Sequence, residues 1–202
     1  MNAVDLTYYG EFGPVLEERQ AFLLTEIRRI LDMLTTDAEH APAEHLRSRI
    51  KGSGSLQAKL RRQGIPGDAA SGVRSLADLI GVRIVTHFVG DVYAILAELR
   101  RSECWEVVQV KDYISHPKPN GYRSLHVIVQ FPIDCGGLTA MRAEIQLRTI
   151  AMDCWASLEH QLKYKKNIRN TELIVRELKR CADEMASTDL SMQTIREMIE
   201  EN

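Results

Sequence analysis

The 202-residue chain carries 26 basic and 28 acidic side chains, a formal charge of −2, with 45% hydrophobic and 27% charged residues. That length suits one domain with a substantial core, and the mixed composition excludes a disordered chain, a collagen and a coiled-coil rod. The near-neutral total conceals a segregation: residues 1–44 hold three basic and nine acidic groups, residues 172–202 four and eight, and the middle, 45–171, the remaining 19 against 11. A basic middle between acidic ends suits an anion-handling core, although charges clustered on solvated helix faces give the same counts.

In chain order, the start MNAVDLTYYGEF has neither the basic nor the apolar region of a signal peptide. No apolar run approaches the ~18 residues of a membrane span. A cytoplasmic protein with no membrane partner is therefore expected. Residues 14–35 read as an amphipathic helix, with Leu23, Ile27, Ile30, Leu31 and Leu34 on one stripe and Pro14 in the first turn. TTDAEHAP (35–42) is a linker. Residues 43–63 look helical at both ends with Gly52 and Gly54 interrupting, and 75–80 form a helical turn opened by Ser75.

VRIVTHF (82–88) is a strand, and 91–101 a helix with Val92, Ile95, Leu96 and Leu99 on one side. WEVVQVKDYI (105–114) is a strand, SHPKPNG (115–121) a loop, SLHVIVQF (124–131) a strand, CGG (135–137) a turn and 138–149 another strand. Residues 150–166 form a helix with Ala151, Trp155, Leu158 and Leu162 on one face, and 172–200 give one or two acidic helices. The fold class is α+β: a mixed sheet of about five strands between helices, with helical extensions at 1–44 and 171–202 around a core at 45–170. Cys104, Cys135, Cys154 and Cys181 include no CxxC pair, so zinc is unsupported and buried, reduced thiols are expected.

Three polar groupings stand out in the basic middle. The first is the run Arg47, Arg49, Lys51, Lys59, Arg61 and Arg62, in which the Gly52–Ser55 stretch offers free backbone N–H groups just ahead of a helix. Alone, that run also reads as a solvated helix face, and the phosphate-loop spacing GxxxxGK[ST] is absent. The second is Asp78 with Arg83 in LADLIGVRIV, which could be only a helix cap or a structural ion pair. The third is AMRAEIQLRT, where Arg142, Glu144, Gln146 and Arg148 alternate with apolar residues and share one strand face. Two carboxylates, Asp78 and Glu144, amid cations suit Mg²⁺-dependent chemistry on a polyphosphate. Tyr122 on its Asn-Gly turn offers a ring on which a base can stack, with Lys118 and Arg123 as nearby cations.

RIKGSGSLQAKLRRQG (49–64), LADLIGVRI (76–84), DYISHPKPNGYRSLH (112–126) and AEIQLRTIAMDCWASLEHQLKYK (143–165) occur in the order of the motifs of RelA/SpoT-type alarmone synthetases, which this chain resembles. The likeness is strongest to the small single-domain (RelQ/RelP-like) group, and no segment resembles the hydrolase domain of the long enzymes. It implies a nucleotidyltransferase-like fold and Mg²⁺-dependent transfer of the β,γ-diphosphate of ATP to the 3′-OH of GDP or GTP. The products would be AMP and (p)ppGpp, the alarmone of the stringent response. By resemblance, ATP contacts fall on Arg49, Lys51, Ser55, Lys59, Arg62 and Arg83. The metal falls on Asp78 and Glu144, with Glu144 also the base. The guanosine side falls on Lys118, Tyr122, His126, Gln146, Arg148, Asp153 and Glu159.

Three departures stand out: Gly-Ser-Gly-Ser at 52–55 where Pro or bulky residues are usual, Asp153 where Asn is common, and a tail after 170 without motif. Relatives imply a homotetramer. Toxin-like relatives that modify the tRNA 3′ end or adenine nucleotides offer an alternative, with Lys163, Lys165, Lys166 and Arg169 available for an RNA backbone. RNA is not the expected partner, and the same four cations suit the end of a helix dipole.

Overall fold

A computed structural model describes residues 6–35, 41–163 and 171–201. A 3₁₀ turn (Leu6–Tyr9) leads into α1 (Phe12–Leu34), followed by β1 (Ala43–Ile50), α2 (Ser53–Arg62) and α3 (Ala69–Ser75). Then come β2 (Ile80–Thr86), α4 (Val89–Arg101), β3 (Glu106–Asp112), β4 (Leu125–Cys135), β5 (Leu138–Thr149), α5 (Ile150–Lys163) and α6 (Thr171–Glu200). The five strands form one mixed sheet in the order β1-β2-β5-β4-β3. Central β2 and β5 run parallel, and the other pairs are antiparallel.

Period-2 alternation gives this sheet two unlike faces. One carries the buried rows Val82–Ile145–Val127 and Ile84–Leu147–Leu125. Leu16, Leu23, Ile27 and Ile30 of α1 and Val92, Ile95 and Leu99 of α4 join these rows in the core. Each such side chain contributes about 2 kcal/mol of apolar burial. The other face carries Arg47–Arg83–Gln146–His126–Lys111 in one register row and Arg49–Gly81–Glu144–Ile128–Gln109 in the next. The hairpin joining β4 to β5 turns at Gly136 and Gly137, whose positive φ of 56° and 71° match a two-residue turn.

Helix α6 docks through polar groups as well as through buried Ala182. The Thr149 hydroxyl donates to buried Asp189 at 2.6 Å, Arg196 pairs with Asp91 at 2.7 Å, and the Gly90 N–H donates to Gln193 at 3.0 Å. Leu190, Met192, Ile195, Met198 and Ile199 stand exposed on the same helix.

Three expectations need correction. Residues 43–50 are an edge strand, not helix: Leu and Arg suit either state locally, and pairing along β2 decides for strand. The helical turn expected at 75–80 lies instead at Ala69–Ser75, capped by Asp68, whose carboxylate accepts from the Ser71 N–H at 2.7 Å. Ser75 ends that helix, and the chain then leaves it so that Leu76 and Leu79 both reach the core. The cysteines are not buried: Cys104 and Cys135 are half-buried, while Cys154 and Cys181 lie exposed on α5 and α6. On α5 Trp155 is buried, but Leu158 and Leu162 of the same stripe face solvent. The linker expected at 35–42 falls mostly outside the described residues.

The hairpin gives a paired test. A Cβ on Gly136 would lie 2.4 Å from Cζ of Phe12, whereas one on Gly137 meets nothing within 4 Å. Gly137→Ala should cost about 1 kcal/mol for its left-handed backbone alone, and Gly136→Ala at least ~1 kcal/mol more, read as urea midpoints at constant slope.

Candidate functional site

Three adjoining segments build the first part of the site. Lys51 follows β1, Lys59 lies on α2, and Asp78 sits in the extended link before β2. The Asp78 Oδ2 accepts from the Lys51 Nζ at 2.9 Å and from the Lys59 Nζ at 2.8 Å. Burial pushes the Asp78 carboxyl up, but hydrogen bonds and charge from Lys59 and Lys51 outweigh it and hold the group below the usual carboxylate range. Its Oδ1 is buried without a partner among the described residues. Tyr9 supports this corner: its phenol donates to the Lys51 carbonyl, and burial pushes its pKa up to about 12, so it stays a donor.

The second part lies on β4, β5 and α5. The Glu144 carboxylate meets His126 Nδ1 at 3.1 Å and accepts from Gln146 Nε2 at 2.8 Å. Burial raises this carboxyl too, and the His126 contact reverses the direction, leaving it below its ordinary value. His126 Nε2 lies 2.8 Å from the Tyr122 hydroxyl, which accepts from Arg148 Nη2 at 2.7 Å. Arg148, almost wholly buried, and Arg83 both donate to Asp153 Oδ1 at 3.1 Å. Asp78 and Arg83 do not pair with each other: each has its own ion-pair partners, and Asp78 caps no helix.

Two clefts open on the polar sheet face, and Asp78 and Glu144 line both. One, of about 600 Å³, is walled by Arg47, Arg49, Arg83 and Gln146. The other, of about 350 Å³, is walled by Lys59, Lys111 and Arg142. Lys118 places its ammonium 4.6 Å and 4.9 Å from the rings of Tyr113 and Tyr122, which meet edge to face.

Ser55 and Arg62 stand exposed on α2 and line neither cleft. Glu159 accepts from Asn120 Nδ2 at 3.1 Å. Arg123, which the sequence offers as a nearby cation, turns instead to α6, pairing with Asp183 at 2.9 Å. Lys163, Lys165, Lys166 and Arg169 have no described side chains.

Sequence reasoning passed over Tyr113, Ser124, Asn120 and Lys111. Buried Ser124 accepts from Arg148 Nε at 3.4 Å and donates to the Leu147 carbonyl at 3.1 Å. Lys111 shares its register row with His126, a pairing that the local sequence does not show.

Among the described residues no group of three or more His, Cys, Asp or Glu side chains gathers as a metal cage. Two carboxylates on one cleft, one with an unpartnered buried oxygen, still fit Mg²⁺, which takes one or two protein carboxylates and completes its shell with water and phosphate oxygens. The arrangement can hold an anionic ligand on either side of a carboxylate pair, and it sets an ionised Glu144 beside a space able to admit a hydroxyl.

Residues 48–169 match the family model described as a region found in RelA / SpoT proteins. A GTP pyrophosphokinase of Bacillus subtilis, YwaC, is 41% identical over 162 residues, covering 80% of this chain and 77% of that protein. The crystal structure of small alarmone synthetase 1 from B. subtilis bound to its product pppGpp superposes with a TM-score of 0.78 at 29% identity, covering 96% of each chain. The same synthetase bound to AMPCPP gives a TM-score of 0.72 at 28% identity, covering 93% of this chain and 95% of that one.

The two carboxylates define an acid limb. Because both fold with lowered pKa values, the stability they contribute is present above the unfolded pKa, near 4, and is lost as pH falls through the lower folded value. The stability advantage of the native chain over Glu144→Gln should therefore shrink as pH falls below about 4 in denaturant titrations. An advantage that keeps growing below about pH 4 would contradict the stated direction.

Proposed function

The chain belongs to the RelA/SpoT family, and on that premise we propose that it is a (p)ppGpp synthetase, moving the β,γ-diphosphate of ATP to the 3′-OH of GDP or GTP. The observation that carries the reading is the pair Asp78 and Glu144 on the shared wall of two cation-lined clefts. The relatives' names as GTP pyrophosphokinases and alarmone synthetases support the same chemistry.

In this reading Arg49, Lys51, Ser55, Lys59, Arg62 and Arg83 serve ATP. Tyr122 stacks on guanine beside Lys118, His126, Gln146, Arg148, Asp153 and Glu159. Asp78 and Glu144 would hold Mg²⁺, which when bound neutralises phosphate charge. The cations around the clefts do the same from the protein side. Glu144 accepts the proton of the 3′-OH; O3′ bonds to the β-phosphorus as the bridging bond to the α-phosphate breaks, and AMP leaves with that oxygen. His126 and Gln146 keep Glu144 ionised and aimed. This makes it a weak base that is always available.

The reading also places the protein in the cytoplasm as a homotetramer. No described helix is long and apolar enough to cross a membrane. The exposed apolar side chains of α5 and α6, Leu158 and Leu162 with Leu190, Met198 and Ile199, support assembly. Solution mass by sedimentation tests it: a tetramer is expected, and Met198→Glu with Ile199→Glu should dissociate it.

Incubation with γ-labelled ATP, Mg²⁺ and GDP or GTP should yield labelled ppGpp or pppGpp, and no labelled product would refute the assignment. Glu144→Gln and Asp78→Asn should each lower kcat by at least ~10²-fold. Tyr122→Ala should raise the acceptor KM by about tenfold or more through lost stacking.

A further inference from the structure

The loop at 113–124, which presents Lys118 and Tyr122, is tied down along its whole length. Asp112 opens it by accepting from the N–H groups of Ile114 at 2.9 Å and Ser115 at 3.0 Å. A turn closed by the Gly121 N–H on the Lys118 carbonyl at 2.8 Å follows, held to α5 through Asn120 and Glu159. The last tie is to α6. Gly121, at φ +89°, lies so near that helix that a Cβ would sit 2.6 Å from Cβ of Ala182 and 3.1 Å from Cα of Lys179. Arg123 Nη1 donates to the carbonyls of Gly121 at 3.1 Å and Ala182 at 3.2 Å, and Nη2 to Asp183 at 2.9 Å. Tyr122 lies between these two clamped residues.

We propose that Arg123, with Gly121, is a positioning residue for the acceptor nucleotide: it locks the loop to α6 so that the Tyr122 ring is set before the base arrives. The proposal rests on Tyr122 as the acceptor-stacking residue. The physical gain is preorganisation, because freezing loop backbone costs about 1–2 kcal/mol per residue, and a clamp made on folding removes that cost from binding. Arg123 thereby differs from Lys118 earlier in the same loop. Its guanidinium is spent on protein oxygens and does not reach for phosphate. Docking of α6 does not depend on Arg123, since Thr149–Asp189, Asp91–Arg196 and Gly90–Gln193 secure the helix further along. Among the described residues, the C-terminal helix thus meets the acceptor loop directly through Gly121 and Arg123.

The test compares native enzyme, Arg123→Ala, Arg123→Lys and Arg196→Ala by steady-state kinetics, GDP calorimetry and thermal melting. Arg123→Ala should raise the acceptor KM and the GDP Kd about tenfold while the ATP KM and saturating kcat stay within about twofold, the size of one lost charge-assisted hydrogen bond. Arg123→Lys should recover part of the loss. Arg196→Ala, which loosens the far end of α6, should lower the melting temperature without moving the acceptor KM. An unchanged acceptor KM in Arg123→Ala, equal rises in both KM values, or the same rise in Arg196→Ala overturns the proposal. Native enzyme that neither binds nor diphosphorylates GDP or GTP instead sinks the acceptor reading on which it rests.

Discussion

The site depends on keeping two carboxylates charged below the surface of a sheet. Asp78 and Glu144 are each withdrawn from much of their water, which by itself favours the protonated, useless form. Two ammonium groups reverse that for Asp78, and His126 with Gln146 reverses it for Glu144. The partners arrive from different elements, so the ionised pair exists only when β1, α2, the link before β2, and strands β4 and β5 are all in place. The charge of the pair and the folded structure are one condition here.

Much of the remainder follows from supporting those partners. The Tyr9 phenol fixes the backbone of Lys51 from the N-terminal turn. Arg148, buried behind Glu144, orders Tyr122, Gln146 and Asp153 by hydrogen bonds at 2.7 to 3.4 Å. From the other end of the chain, α6 grips the loop that carries Tyr122. The acidic ends of the sequence therefore flank the basic middle in space as well, one behind each half of the site.

The strands were readable wherever alternation was strong. β5 runs over the predicted 138–149, with Glu144, Gln146 and Arg148 together on one face because their spacing is two. β1 was not readable. HLRSRI alternates too, but its polar members are Arg and Ser, its apolar members are few, and its only strand partner lies more than thirty residues away. The helix stripe at Trp155, Leu158 and Leu162 is legible in the sequence, but its burial is not, because periodicity shows that a face exists without showing what covers it.

The sequence by itself determined the element types of the core, the segregation of charge, and the short list of acids and cations that could meet phosphate. These are properties of residue type and of spacing within a few turns of chain. Tertiary structure alone decided the pairings: Asp153 with Arg83 seventy positions away, Asp78 with Lys51 across 27, and Arg123 with Asp183 across 60. Whether a given Arg binds ligand or binds the protein is set by which oxygen lies within 3 Å or so of it after folding, and that distance is written in no local stretch of chain.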